Sequence, residues 1–245
     1  MDAFTISVAG LIAHVQPMFV STIEYCRTYL TDQEPDCFIQ VSDEDLAFQH
    51  ARAEREAIEE GIRIRKYTGP YLERATILYK VAGELLQRNT LLFHGSTVAV
   101  DGEAYLFTAP CGTGKSTHTR LWCKKFGDRA LMINDDKPFL QVTEDAVFAC
   151  GSPWSGKHGL DSNVRLPLRG ICILCRGSEN RIRKVDPDMF LPFLRKQCIC
   201  DVSDTGPQLA FSLLSQILDR IPVWELTCTK DVEAASVSYS AMSEG

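Results

Sequence analysis

Glycines, a lysine and a serine stand at fixed spacing in Ala109-Pro110-Cys111-Gly112-Thr113-Gly114-Lys115-Ser116. Gly112 and Gly114 let the backbone curl so that successive N–H groups point inward, toward anionic oxygens. The segment fits the phosphate-loop (Walker A) pattern G-x-x-x-x-G-K-[ST], except that Ala109 replaces the first glycine. In such a loop Lys115 supplies a point charge for β- and γ-phosphates and Ser116 a hydroxyl for Mg²⁺. Thr117, on the first helical turn, adds a phosphate contact. Pro110 to Thr117 is thus the expected nucleotide cradle. A chance glycine-rich loop is the plainer reading, and the apolar run before and helix-like run after favour the cradle.

Such a loop needs acids at the end of a neighbouring strand, and Leu131-Met132-Ile133-Asn134-Asp135-Asp136 supplies two. One carboxylate can take the metal or its water shell while the other accepts a substrate proton. Adjacent side chains at a strand end face opposite sides, so the roles can be divided. The competing reading is a turn or cap before Lys137-Pro138. His94, in an apolar run, reads by itself as a core histidine. The loop Gly151 to Gly159 carries Lys157, either as a mobile cover bringing a cation to transferring phosphate or as a surface turn.

Other constellations are weaker. Cys172 and Cys175 match C-x-x-C, with Cys198 and Cys200 downstream, but an odd separation on a strand sends their side chains to opposite faces. Burial as small apolar residues accounts for them. Cys111, inside the loop beside Lys115, is a thiol open to oxidation. His118 and Arg120 read as packing or solvated residues. Trp122, Trp154 and Trp224 need no ligand, although Trp154 could stack on a base, and Arg165 or Arg169 could reach phosphate.

Positioning these groups requires strands. Phe93–Val100 and Ala104–Thr108 flank Asp101-Gly102, a two-residue hairpin signal. Ala130–Asn134 reads as a buried strand, and Phe139–Val142 with Ala146–Cys150 as a second hairpin. Gly170–Cys175 and Val223–Thr227 are further strands. Helices are expected at Pro70–Arg88, Ser116–Phe126, Gln208–Ile221 and Val232–Met242, and one after Ser42, whose acids suit a first turn. Thr5–Val8, Cys37–Val41 and Ile62–Ile64 are short β-like runs. Residues 177–245 read as helices around one strand. The expected division is a 1–89 α+β segment packed on a 90–245 core, together one compact unit.

The bulk properties agree. The chain has 245 residues, 45% hydrophobic and 24% charged, enough for a full core. A net charge of −6 argues against a general nucleic-acid binder. Val8 to Val20, the best membrane candidate, is broken by His14, Gln16 and Pro17. Ten cysteines without an export signal are expected to be reduced thiols in a cytoplasmic protein.

At His94-Gly95, the hairpin, the shortened loop, Asp135-Asp136 and Arg169-Gly170, the sequence resembles the HPr kinase/phosphorylase superfamily, especially its compact bacterial members. More distantly it is similar to the ATP-dependent phosphoenolpyruvate carboxykinases. The resemblance implies an α/β fold with a mixed twisted sheet and flanking helices. It places His94 and Asp136 at a phosphoryl-transfer centre with Asp136 as proton acceptor, and Lys115 and Ser116 on phosphate and metal. Asp135 is left for the metal, and Lys157 to cover the γ-phosphate. Pro167 stands where the family's kinases carry a metal-holding glutamate. The expected activity is ATP- and Mg²⁺-dependent phosphorylation of a hydroxyl, on a serine of a peptide or small protein. A small-metabolite kinase and a catalytically degenerate nucleotide sensor are the alternatives. Neither nucleic acid nor membrane is an expected partner, and homo-oligomerisation stays open.

Overall fold

The computed structural model describes residues 2–59, 61, 63, 64, 66–200 and 205–244. It opens with a small sheet: β1 (Phe4–Val8) and β2 (Leu11–Gln16) form a hairpin, and β3 (Cys37–Gln40) adds parallel to β2. β2 occupies part of the apolar stretch weighed above as a membrane candidate. A short helix, α1 (Ser21–Tyr25), precedes β3, and α2 (Asp43–Glu59) follows it. Ser42 caps α2: its Oγ accepts from Asp45 N at 3.2 Å, while the Asp45 carboxylate accepts from Ser42 N at 2.9 Å. Glu60 and Ile62 lie outside the described residues, so the run expected at Ile62–Ile64 falls partly beyond them.

The long amphipathic helix α3 (Gly69–Leu86) follows, with its N-terminus capped by Thr68. Ile77, Leu78, Val81, Ala82 and Leu85 pack on the small sheet and on Leu92, Phe139, Cys150 and Trp154. One apolar core therefore joins the amino-terminal layer to the strands that follow.

The main sheet is mixed. Its strands are β4 (Thr90–Phe93), β5 (Ser96–Val100), β6 (Glu103–Thr108), β7 (Ala130–Asn134), β8 (Phe139–Val142), β9 (Val147–Cys150), β10 (Arg165–Arg176), β11 (Arg181–Val185), β12 (Cys198–Ile199) and β13 (Val223–Cys228). The expected single strand Phe93–Val100 is in fact two, broken at His94-Gly95. β4 pairs with β8 and β12, whereas β5 pairs with β6 and β7. A side chain at Gly95 would meet Phe107 O at 3.1 Å, so the crossing is tight and a larger residue would push the strands apart by a few tenths of an ångström. β10 ties the two halves together. Arg165 to Pro167 pair with β9, the register shifts between Leu168 and Gly170, and the rest runs parallel to β6 and β13. The carboxy-terminal third holds three strands rather than one: β11 is a polar edge segment and β12 is only two residues long, too short to show a pattern.

Alternation along the central strands explains the layers. Tyr105 and Phe107 of β6, and Cys172 and Leu174 of β10, face α4 (Lys115–Phe126) and α7 (Glu233–Glu244). Ala104, Leu106, Ile171 and Ile173 face α6 (Gly206–Leu218) and the short α5 (Leu191–Gln197). Strands buried on both faces appear in sequence as continuous apolar runs. Because β5 runs antiparallel to both β6 and β7, those two strands end at the same edge. That edge carries the glycine-rich loop and the paired acids. Among the described residues no helix is long and apolar enough to cross a membrane.

Candidate functional site

The loop after β6 curls as its glycines require. Gly112 has φ of 73° and Gly114 of 128°, conformations that L side chains rarely adopt. Ala109 is fully buried in the layer against α4, so a methyl group is accommodated where the motif has its first glycine. α4 starts at Lys115 with no side-chain cap, so the positive end of its dipole faces the loop's concave side. Lys115 is almost fully buried and donates from Nζ to Ala109 O at 3.0 Å. Pro110, Cys111 and Gly112 are exposed, and Thr113, Gly114, Ser116 and Thr117 half-buried. Arg176, at the end of β10, donates to the carbonyls of Gly112 and, at 3.2 Å, Thr113. Trans peptide planes carry N–H opposite C=O, so carbonyls drawn to Arg176 turn the following N–H groups away from it.

The two aspartates sit in different surroundings. Asp135 is buried, its Oδ1 accepting from the Gly156 N–H, while Oδ2 has no partner among the described residues. Ser116 donates from Oγ to the Asp135 carbonyl at 3.3 Å, which joins loop and acid. Burial pushes the Asp135 carboxyl above its ordinary range; the Gly156 amide opposes that, and Asp136 adds to it. Asp136 is partly exposed, with Oδ1 3.4 Å from His94 Nε2 and 3.9 Å from Lys137 Nζ. Burial alone would raise Asp136, but Lys137, His94 and Lys115 outweigh it and hold the carboxyl below its usual range. Burial also lowers the His94 imidazole, with Lys137 and Lys115 adding to the effect against Asp136. At neutral pH the pair is a carboxylate beside a neutral imidazole.

His94 thus stands at the crossing between half-sheets rather than inside a strand, held by its N–H to Gln197 O at 2.8 Å. The loop from Gly151 reaches the acids through Gly156, while Lys157 itself is exposed and forms no ion pair within 4.0 Å among the described residues. Three alternatives left open by the sequence are overturned: stacking by Trp154, and phosphate contacts from Arg165 or Arg169. Trp154 is buried, with Nε1 donating to Arg74 O at 2.7 Å, and is a packing residue that cannot stack on a base. Arg165 lies over Phe148 and bonds Gln141, and Arg169 pairs with Glu103 at 2.8 Å. Glu103 opens β6, so Arg169 is a strand's length from the loop. His118 is a buried packing residue, bonded to Ser238 at 3.1 Å, and Cys172 is wholly buried while Cys175 is not.

Residues that the sequence reading missed complete the site. Asn134 accepts from the N–H groups of Asp136 and Lys137, and Arg176 braces the loop. The cue for Asn134 was its place before two acids, a setting for a side-chain-to-backbone turn. Beside the loop lies a cavity of about 370 Å³, lined by Thr113, Thr117, Leu121, Leu174, Cys228 and Lys230 among others.

No family model and no curated protein matches the chain. Among solved structures the chain is similar to the HPr(Ser) kinase/phosphatase from Coxiella burnetii, at 10% identity and a TM-score of 0.36. That likeness covers 63% of this chain and 99% of the other.

Proposed function

We propose that the protein is an ATP- and Mg²⁺-dependent kinase that transfers the γ-phosphoryl group to a hydroxyl acceptor. The observation that carries this reading is the shared edge of β6 and β7. There the loop with Lys115 faces an acid with a buried oxygen that has no partner among the described residues, and a second acid paired to an imidazole. A buried carboxylate oxygen without a donor calls for a cation. Asp135 and Ser116 fit Mg²⁺, which when bound neutralises charge on the transferring group.

Pro110 to Thr117 would cradle the phosphates through backbone N–H groups, Thr117 and the Lys115 ammonium. The neighbouring cavity falls within the 300–1,000 Å³ typical of small-ligand sites and suits the nucleoside. Asp136 would orient the acceptor hydroxyl and take its proton. Its lowered pKa makes it a weak base, which suffices where the transition state is loose and the proton leaves late. His94 and Lys137 keep that carboxylate ionised. Lys157, on the loop tied to Asp135, would cover the γ-phosphate. The Asp136 side chain is 33% exposed, so a hydroxyl carried on a peptide or small protein can reach it. A serine is the acceptor suggested by the sequence resemblance.

The test is ADP release from Mg-ATP with serine-containing peptides. Asp136→Ala is expected to lose turnover while retaining nucleotide binding. Near-normal turnover in that variant refutes the assignment.

A further inference from the structure

Asn134 is the last residue of β7 and is fully buried, yet every hydrogen-bonding position of its amide is used. Oδ1 accepts from the N–H of Asp136 at 2.8 Å and of Lys137 at 2.6 Å. Nδ2 donates to Ser152 O at 2.8 Å and to Ser152 Oγ at 3.0 Å. Ser152, itself fully buried, donates from Oγ to Lys137 O at 2.7 Å, which closes the ring. Two side chains 18 positions apart thus fix three peptide groups of the turn 134–137. A primary amide offers two donors and two acceptor lone pairs, and no other side chain of that size supplies both.

We propose that Asn134, seconded by Ser152, is a positioning residue for phosphoryl transfer, fixing where the Asp136 and Lys137 side chains leave the backbone. This rests on the kinase reading above. Neither side chain of the ring hydrogen-bonds to a phosphate-loop residue or lines the cavity beside that loop, and the fixed turn meets the loop only where Ser116 donates to the Asp135 carbonyl, so the ring's contribution is assigned to the chemical step and not to nucleotide capture. A displacement of about 1 Å in a reacting group costs about 10²-fold in rate.

The experiment compares Asn134→Ala, Ser152→Ala and the double variant with wild type and Asp136→Ala. The readouts are kcat and KM for ATP in ADP release with a serine-containing peptide pool, and hydrogen exchange of the Asp136 and Lys137 amides. Asn134→Ala is expected to lower kcat about 10²-fold, with KM for ATP within about twofold of wild type, and to deprotect both amides. The double variant should lose much less than the product of the single losses, because the two residues act as one ring. If Asn134→Ala does not fold, Ser152→Ala carries the test: it leaves Oδ1 of Asn134 on both amides and removes only the serine hydroxyl's two bonds, and is expected to show the same kcat-only defect in smaller measure. Unchanged kcat, a defect confined to KM, unaltered amide protection or multiplicative losses would each overturn the proposal. Asp136→Ala separates the levels: if it is inactive while Asn134→Ala is normal, only the positioning role fails. If Asp136→Ala turns over normally, the kinase reading falls and the positioning role with it.

Discussion

Gly156→Ala puts the most informative strain on the site. A Cβ at this position would lie 2.9 Å from Asp135 Oδ1 and 3.2 Å from Oδ2. To reach an ordinary contact, loop and carboxylate must part by about half an ångström, which stretches the Gly156 N–H···Oδ1 bond. A hydrogen bond to a buried charged group contributes about 1.5–3 kcal/mol, equivalent to about 10- to 150-fold in an equilibrium constant. The Gly156 amide is what counters burial at Asp135, so its loss moves that carboxyl still further above the ordinary range. A cation needs the ionised form, and less of it exists as pH falls. The assay is the Mg²⁺ concentration for half-maximal ATP binding, followed from pH 8 down to pH 6. The variant should need up to about tenfold more Mg²⁺ at the acid end, with the deficit widening as pH falls. An Mg²⁺ requirement equal to wild type at every pH refutes the pairing of Asp135 with the cation.

Two further outcomes follow from the geometry. Burial lowers His118 from 6.5 to about 4, so between those values the unfolded chain binds a proton that the folded chain refuses. Stability should therefore rise with pH across that window, by about 1.4 kcal/mol per unit, and the urea midpoint of His118→Gln should be flatter there. Arg176→Ala removes the donors to the Gly112 and Thr113 carbonyls at an exposed position, so folding should be unaffected while ATP affinity falls about three- to tenfold, measured by calorimetry.

Local chemistry made much of this legible. Asp101-Gly102 announced its hairpin because both residues take positive φ, 53° and 84°. The curled loop was readable because Gly112 and Gly114 take positive φ, and the acids because they directly follow an apolar strand. What escaped was set by distant parts of the chain. The break at His94-Gly95 lies within an apolar run, and only the presence of two half-sheets shows that β4 and β5 part there. β11 reads as polar because it is an edge strand with Arg181, Arg183 and Lys184 exposed. Trp154 looked available for stacking because nothing local reveals that α3 supplies a carbonyl for its indole. The bond between Asn134 and Ser152 was equally hidden, since it exists only once the chain leaving β9 returns to the end of β7.

Calorimetric titration of ATP, ADP and AMP in the presence of Mg²⁺, into wild type and Lys115→Met, tests the central claim most directly. The account predicts saturable binding of ATP that weakens as phosphates are removed, and its loss in Lys115→Met with the fold intact. Absence of binding to the wild type, or equal affinity for AMP and ATP, would contradict it.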